Sequence, residues 1–479
     1  MRQFQKILFI FFFAAALSQG VAFAASDAAK RVPVLHNGRI KPFDAFARQT
    51  LKTISGSERW KGEDATSVLL EAMKNPASLN KNKWIRIDYE ELKSHLGLPK
   101  DRRTFSLSEL EEAFPKVEAL VKSAKSKRDR DERPSKLEQK SELLYTQIRT
   151  VRSLISGESL KEYPAAGASE FKINTEVLYL NAKPFQRAAF AYFLGFLLLT
   201  LFPAGGGKKQ STGHWLGLLA VVLALLLHTL GIAARIIVLS RPPVSNMYES
   251  MIFMNWALMA FAAIFSLLKK NATALTTGAF VSAVVMLYGD LLPIDASLEV
   301  LVPVLRSNYW LSVHVMTVVS SYGAFGLAMA LGHRHLLASR FGKFSKKEET
   351  ESADLIYRVI QLGVILIGTG TFLGGVWANE SWGRFWGWDP KETWALITFL
   401  GYLAVVHLVY TKKMSSFALA LCSVLGFLLV LMTWYGVNFV LGRGLHSYGA
   451  GTGGMNWVIY YLIFEAVFVG FILSRRSSG

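Results

Sequence analysis

Long apolar stretches fill the C-terminal part of this 479-residue chain. A helix needs about 20 mainly apolar residues to cross the hydrocarbon core of a bilayer. Such segments fold as helices because the bilayer offers no water to unpaired backbone groups. The pattern therefore predicts an all-α polytopic membrane protein with a bundle of about nine transmembrane helices. The nine stretches are residues 186–203, 215–239, 249–268, 273–292, 310–337, 355–377, 393–411, 416–440 and 456–474.

The charged residues divide the chain into two parts. Residues 26–185 carry 30 Lys and Arg and 23 Asp and Glu, whereas residues 186–479 carry 21 and 12. The first part has the charge density of a domain in water. We therefore place a boundary near Lys183–Pro184 and predict a mainly helical extracytoplasmic domain over 26–185, followed by a membrane domain over 186–479. The single cysteine, Cys422, excludes a disulfide framework, a CxxC redox motif and a cysteine-clustered metal site.

Residues 1–25 have the pattern of an export signal. Arg2 and Lys6 precede the apolar run Ile7–Leu17, and Ala22–Phe23–Ala24 supplies small residues for cleavage. The run is short for a membrane span, so we predict a cleaved signal peptide, with a retained N-terminal anchor as the alternative. Either one places the following domain outside the cytoplasm.

Basic clusters predict the orientation of the nine segments, because cytoplasmic loops carry the excess of Lys and Arg. With residue 185 outside, each of the five inner loops has such a cluster. We therefore expect a multi-pass protein of the bacterial inner membrane, surrounded by lipid, with its soluble domain on the periplasmic side. Much of the basic excess is then a topology signal and not a surface for nucleic acid. The clusters are Lys208–Lys209, Lys269–Lys270, Arg340 to Lys347, Lys412–Lys413 and Arg475–Arg476.

Apolar spacing within the soluble domain predicts a helical hairpin. Its helices are expected over residues 106–128 and from Leu137 to Leu154, with a charged tip from Lys125 to Pro134. The tip is either a solvated face or a site for anionic lipid or an acidic partner. His36 and His95 are isolated, and the domain contains no catalytic constellation.

The loop between the sixth and seventh segments, residues 382–394, holds four tryptophans in thirteen residues. Trp382, Trp386 and Trp388 are interleaved with glycines, so their rings could form a flat apolar shelf for a planar macrocycle. An aromatic belt at the membrane interface is the alternative. We use the name tryptophan loop for Trp382–Trp394.

The charged residues of the tryptophan loop have two expected roles, ligand binding and stabilisation of a helix N-terminus. Arg384 and Lys391 are expected to pair with carboxylates of a planar macrocycle. Asp389 and Glu392 lie near the start of the seventh segment, where acidic residues favour a helix N-terminus.

Three histidines have positions that suggest a function, and two of these positions suit haem ligation. His314 lies about four residues into the fifth segment from its outer end, and His446 lies in the outer loop after the eighth. Two imidazoles beside the tryptophan loop suit axial ligation of a haem iron. His407 lies about fourteen residues into the seventh segment, about 21 Å from its outer end. An ionisable side chain at that depth is a functional hypothesis by default.

The remaining membrane histidines favour structural interpretations. His228 is buried in the second segment, and we interpret it as structural, with haem ligation as the alternative. His214, His333 and His335 lie at inner ends, where solvation at the membrane interface is expected. An ion-coupled transporter would need more acids within the membrane than Asp290 and Glu465, and it does not explain the tryptophan loop.

These residues together resemble the WWD family of haem-handling membrane proteins in cytochrome c maturation. Trp382–Glu392 carries the WWD signature. The order His314, WWD loop, His407, His446 and the stretch Arg241–Ser250 resemble CcsA (ResC), a subunit of the system II cytochrome c synthase, more than CcmF or CcmC. The stretch Val32–Asp44 resembles a segment found within CcsB–CcsA fusions.

The resemblance implies a function for each part of the site. His314 and His446 are implied to ligate haem at the outer site, and His407 to ligate it in transit. Haem b is the implied substrate, and apocytochromes c with a C-x-x-C-H segment are the implied clients. A separately encoded CcsB (ResB) membrane subunit is the implied partner. The implied activity is a cytochrome c haem lyase-type synthase that forms thioether bonds. The alternative is a CcmC- or CcmF-like haem exporter or delivery protein without synthase chemistry.

Overall fold

The computed structural model describes residues 28–130, 132, 134–158, 161–164, 167–204, 210–291, 294, 296–299, 307–441 and 455–474. The predicted leader, His446 and the basic clusters Lys208–Lys209 and Arg475–Arg476 lie outside the described residues. The chain divides into two compact units, Met1–Asn181 and Ala182–Gly479.

The first unit combines helices and short strands around one apolar core that includes Phe46, Leu69 and Trp84. Its strands are β1 (Pro33–His36), β2 (Arg39–Pro42), β3 (Arg59–Trp60), β4 (Glu63–Asp64), β5 (Ile85–Arg86), β6 (Thr104–Phe105) and β7 (Lys161–Glu162). Its helices are α1 (Phe43–Ser55), α2 (Ala65–Lys74), α3 (Pro76–Lys81), α4 (Glu90–Leu96), α5 (Leu107–Leu110), α6 (Phe114–Asp129), α7 (Lys136–Ile155) and α8 (Glu170–Ala182).

The stretch Val32–Asp44 folds as a β-hairpin that leads into α1. β1 pairs antiparallel with both β2 and β7, which gives the sheet order β2-β1-β7. Asn37 and Gly38 have φ angles of 51° and 71°, the conformation that makes Asn-Gly a favoured hairpin turn. Arg39 in β2 forms a two-pronged ion pair with Glu176 in α8, at 2.7 and 2.6 Å. This buried contact joins the hairpin to the last helix of the unit.

The predicted helical hairpin is present, but its first helix is broken. Residues 106–128, predicted as one helix, form α5 and α6 with a turn between them. The apolar spacing runs through this turn, whereas Pro115 favours a break. Proline fits the first turn of a helix and is disfavoured in its interior, and Pro115 lies in the first turn of α6.

Ion pairs cross the tip of this hairpin. Lys127 of α6 donates to Glu138 of α7 over 2.8 Å, and Arg128 pairs with Glu142. Part of the basic charge at the tip is therefore paired within the chain.

The described residues of the second unit form helices joined by loops, and no strand occurs among them. Each of the nine apolar stretches lies on a helix. Within the part of the chain that the structure describes, eight helices are long and apolar enough to cross a membrane, and the apolar part of a ninth, Thr273–Gly289, is shorter. The protein is a mainly helical, polytopic membrane protein. The helices are α9 (Pro184–Leu201), α10 (Thr212–Leu239), α11 (Met247–Lys269), α12 (Thr273–Leu291), α13 (Asn308–Trp310), α14 (Met316–Arg340), α15 (Lys346–Trp382), α16 (Pro390–Tyr410), α17 (Ser416–Leu431) and α18 (Met455–Leu473). π-Helical turns span Leu311–Val315 and Met432–Leu441.

Close helix packing centres on α14. A Cβ added at Gly323 would lie 2.6 Å from the carbonyl oxygen of Met254 in α11. A Cβ added at Gly332 would lie 2.8 Å from the carbonyl oxygen of Ala420 in α17. Small residues of this kind let membrane helices approach closely. We call the end of the bundle with the tryptophan loop the loop end, and the opposite end, where α14 leads into α15, the far end.

Candidate functional site

His314 lies in the π-helical turn Leu311–Val315, which interrupts an otherwise continuous helix from Asn308 to Arg340. Such turns occur frequently at functional sites. The Nδ1 atom of His314 lies 2.8 Å from the carbonyl oxygen of Gly370 in α15. A carbonyl oxygen can only accept a hydrogen bond, so Nδ1 carries the proton and Nε2 carries the lone pair. The turn thus holds His314 in the tautomer that ligates metal through Nε2.

Aromatic rings and a glycine fix the His314 ring in place. The Trp377 ring lies 5.7 Å from the imidazole, and it stacks on Trp310 at 6.4 Å. The indole Nε1 of Trp310 donates to Glu380 Oε2 over 2.7 Å. A Cβ added at Gly374 would lie 2.6 Å from His314 Cε1. The sequence interpretation missed Trp310, Trp377 and Glu380.

The tryptophan loop folds back onto the same turn of α15. A Cβ added at Gly375 would lie 2.6 Å from the Phe385 ring, and that ring also packs against Phe372 at 5.7 Å. Gly374 contacts His314, and its neighbour Gly375 contacts Phe385. Two adjacent glycines of α15 therefore bring His314 and the tryptophan loop together.

Glu392 organises the backbone of the tryptophan loop. Its carboxylate accepts hydrogen bonds from the backbone N–H of Gly387 at 2.8 Å and of Asp389 at 3.1 Å. Arg384 Nη1 also donates to Glu392, at 3.2 Å, so this guanidinium, expected to meet a ligand carboxylate, is paired within the loop. Asp389 caps the N-terminus of α16 by accepting from the backbone N–H of Lys391. The two acidic residues stabilise the start of α16 as a capping box.

The tryptophan rings do not form one flat shelf. Trp386 and Trp388 lie 5.9 Å apart with their planes at 89°, because neighbouring positions of the loop turn their side chains in different directions. Trp388 has a φ of 56°, which is rare for a bulky residue and typical of functional sites when it occurs. Its ring is 69% exposed. Trp382 lies under the Arg384 guanidinium at 5.6 Å.

His407 lies away from the tryptophan loop. α16 ends at Tyr410, so His407 occupies the last turn of the helix at the far end, about 5 Å from the helix end. Its side chain is exposed on the outside of the unit. The sequence predicted that His407 lies deep in the membrane, because it is far from the loop end. The end of α16 at Tyr410 shows that His407 is also close to the far end of the bundle.

Both ring nitrogens of His228 have a polar partner. Its Nε2 lies 3.1 Å from the carbonyl oxygen of Ile252, and its Nδ1 lies 3.4 Å from the Tyr192 hydroxyl. The residue is fully buried. These contacts agree with the structural interpretation of His228.

A buried triad at the loop end was not recognised as a unit from the sequence. Glu249 in α11 pairs with Arg235 in α10 at 2.9 Å and with Arg241 in the connecting loop at 2.7 Å. Glu249 is completely buried, and the two arginines are 1% and 6% exposed. Three charged residues next to apolar segments were the available signal, because charges there are usually paired.

The triad holds the segment that leads to His314. Arg235 donates to the carbonyl oxygens of Ala296 and Ser297, and Arg241 to that of Glu299. Nine residues after Glu299, the side-chain amide of Asn308 in α13 donates a hydrogen bond of 3.1 Å to the carbonyl oxygen of Ser240. Both ends of this segment are therefore fixed to the α10–α11 corner, directly before the helix that carries His314.

The fold is that of a polytopic membrane protein. Its candidate site contains His314 and the tryptophan loop, which both pack against α15. Residues 244–446 match the family model described as Cytochrome C assembly protein. The chain is 37% identical over 270 residues to the cytochrome c biogenesis protein CcsA of Guillardia theta. The aligned region covers 88% of that protein and 50% of this chain. It is also 32% identical to CcsA of Pyropia yezoensis, and that aligned region covers 99% of the relative and 56% of this chain. The chain belongs to the CcsA family of cytochrome c biogenesis proteins.

A longer relative matches the first unit as well. The chain is 29% identical to Protein NrfI of Wolinella succinogenes over 86% of its own length and 53% of NrfI. Residues 182–479 are only 298 of the 479 residues, so this match extends into the first unit. The chain spans about half the length of NrfI.

Proposed function

We propose that this protein binds haem b at the loop end and promotes its covalent attachment to apocytochromes c that carry a C-x-x-C-H segment. Membership of the CcsA family supports a role in cytochrome c biogenesis. The observation that carries the proposal is the hydrogen bond from His314 to Gly370, because it leaves Nε2 as the ligating atom beside the tryptophan loop.

In this proposal His314 and His446 would hold haem through its iron. Gly370 holds the His314 ring by the bond to its other nitrogen, which is how metal-bound histidines are commonly oriented. Trp388 offers an exposed indole face to the porphyrin. Arg384 and Glu392 keep the loop in shape.

The chemical step is the addition of two client thiols to the haem vinyl groups. Each S–H adds across one C=C bond, so that a C–S bond forms and the proton ends on the neighbouring carbon. The client histidine replaces one axial ligand, which places both cysteines beside the vinyl groups. The thiols belong to the client, and the protein contributes mainly by positioning the reactants.

His407 supports the proposal of a membrane partner. Its side chain is exposed on the outside of the unit, so a second chain could reach a haem held there. We propose that a CcsB (ResB)-type subunit packs on this face and supplies the second histidine for haem in transit.

The distribution of basic residues supports the proposed orientation. Lys269, Arg340 and Lys412 lie at the far end of their helices, and the positive-inside rule assigns that end to the cytoplasm. The loop end and the soluble unit are then periplasmic, in the inner membrane of a bacterium.

A reporter assay tests the proposed function. The chain is expressed with a CcsB-type subunit and a reporter apocytochrome, and covalent haem on the denatured reporter is stained. We expect staining only when both membrane proteins are present, loss of staining in His314→Ala, and no loss in the control His95→Ala. Staining without this chain would contradict the proposal. Haem that stays on the protein and never reaches the reporter would instead support the delivery function.

A further inference from the structure

A second polar cluster lies between α14 and α18, towards the far end of the bundle. His333 Nε2 and Glu465 Oε2 are 3.2 Å apart. His333 precedes the end of α14 by seven residues and Glu465 precedes the end of α18 by eight. These spacings place the pair about 10 to 12 Å inside the bundle at 1.5 Å per residue. The sequence interpretation placed His333 at a solvated interface, and the structure pairs it with an acid inside the apolar region.

The pair shares one proton. His333 Nδ1 lies 2.9 Å from the carbonyl oxygen of Met329, so Nδ1 is a donor. The bond between Nε2 and Glu465 Oε2 then needs one further proton, which resides either on the imidazole or on the carboxyl group. The first state is an ion pair and the second is neutral, and a shift of one proton along a single hydrogen bond connects them.

Further polar atoms surround this pair. The Tyr402 hydroxyl makes no hydrogen bond within the described residues, and the Tyr461 hydroxyl lies close enough to Glu465 to interact with its carboxylate. Glu465 is 3% exposed and Tyr402 is 1% exposed. Tyr461 lies one helical turn before Glu465 and interacts electrostatically with both Glu465 and Tyr402.

A buried polar cluster of this kind lowers the stability of an apolar helix bundle. A buried polar atom without a partner destabilises the folded state, and a buried ion pair is often no more stable than apolar residues of the same size. Ionisable residues inside a membrane mark proton or ion pathways in many proteins. The cost therefore argues for a role other than stability.

We propose that His333, Glu465, Tyr461 and Tyr402 form a proton-binding site inside the membrane part of this protein. The titratable groups of the cluster come from α14 (His333), α16 (Tyr402) and α18 (Glu465 and Tyr461). Cys422 of α17 lies next to Tyr402. Uptake transfers a proton from a hydronium ion to the His333–Glu465 pair and releases water, with no change in any oxidation state. The site goes beyond haem attachment and lies at the other end of the bundle from the tryptophan loop.

Infrared spectroscopy of the purified full-length protein tests the site. A protonated carboxyl group has its own carbonyl stretching band, which disappears as the group loses its proton. We expect one such titrating band that is absent in Glu465→Gln and unchanged in Glu351→Gln, the control at an exposed carboxylate. His333→Gln should change the midpoint of this band by about one pH unit, a tenfold change in proton affinity. Tyr461→Phe removes only a hydroxyl and should also change the midpoint.

A wild-type band that does not titrate, or one that persists in Glu465→Gln, would overturn the proposal. So would midpoints that are unchanged in both His333→Gln and Tyr461→Phe. The haem spectrum of the same samples reports on the loop end separately, so failure of the proton site is distinguishable from failure of the proposed function.

Discussion

His314 donates its Nδ1–H to the carbonyl oxygen of Gly370 across 2.8 Å. Gly370 lies on α15, and the π-helical turn of His314 packs against that helix about three helical turns before the tryptophan loop begins at Trp382. The distance between two helices therefore sets the orientation of the imidazole. Anything that widens this contact should weaken binding at the site before it unfolds the protein.

Gly374→Ala tests this coupling. The added Cβ would lie 2.6 Å from His314 Cε1 and 3.1 Å from Nδ1, so the imidazole must move and its bond to Gly370 weakens. We expect weaker haem binding and an altered haem spectrum, with little change in thermal stability. Visible titration with haem measures the first and a thermal melt the second.

Gly470→Ala is the matched control for this substitution. A Cβ added there meets nothing within 4 Å, and alanine is favoured over glycine in a helix. Equal haem affinity in the two variants would show that the contact between Gly374 and His314 has no part in binding.

Glu249→Gln should destabilise the protein strongly. The change removes the negative charge between Arg235 and Arg241, which are both buried. Breaking a buried pair in this way costs about 3–5 kcal/mol. We expect a large drop in the melting temperature and greater protease sensitivity at residues 296–299, which the two arginines hold.

The exposed ion pair between Lys347 and Glu351 provides the comparison. Its atoms are 3.9 Å apart, and exposed pairs contribute about 0–1 kcal/mol. Glu351→Gln should therefore leave the melting temperature nearly unchanged. Similar losses in the two variants would contradict a special role for the triad.

The helical hairpin of the soluble unit should loosen in acid. Hydrogen bonds from Lys127 and Ser123 lower the pKa of Glu138 from 4.5 to about 2. A carboxyl group whose folded pKa is depressed contributes stability above its unfolded pKa and loses it as the pH falls towards the folded value. We expect smaller amide protection factors, relative to the intrinsic exchange rate at each pH, in Lys136–Ile155 as the pH drops from about 4.5 to about 2.

Glu138→Gln is the matched variant for this pH dependence. It removes the titrating group and keeps an amide of the same size, so the protection factors in α7 should depend less on pH. An unchanged pH profile would mean that another group controls the hairpin.

Local patterns predicted much of the fold, because membrane helices follow from apolar length alone. The nine stretches all lie on helices, and the hairpin spacing placed α7 correctly. The turn before Pro115 was missed because the helical spacing of the apolar residues continues through it, and this spacing was given more weight than the proline. Trp310, Trp377 and Glu380 were missed since the Trp310–Glu380 contact joins residues 70 positions apart, and no local pattern carries such a contact.

The candidate site was predictable in its residue types but not in its geometry. The glycine spacing suggested a flat shelf, yet the rings of Trp386 and Trp388 are perpendicular. Their directions depend on backbone angles such as the positive φ of Trp388, which a residue of its type rarely adopts. The His333–Glu465 pair depends on the contact of α14 with α18, which apolar length does not determine.

The visible spectrum of the purified protein tests the central proposal most directly. Protein from haem-replete cells should show the absorption of a bis-histidine haem. This signal should be lost or changed in His314→Ala and retained in His228→Ala where that variant folds, or in His95→Ala, which lies in the soluble unit. A colourless protein, or a haem spectrum that is identical in His314→Ala, would contradict it.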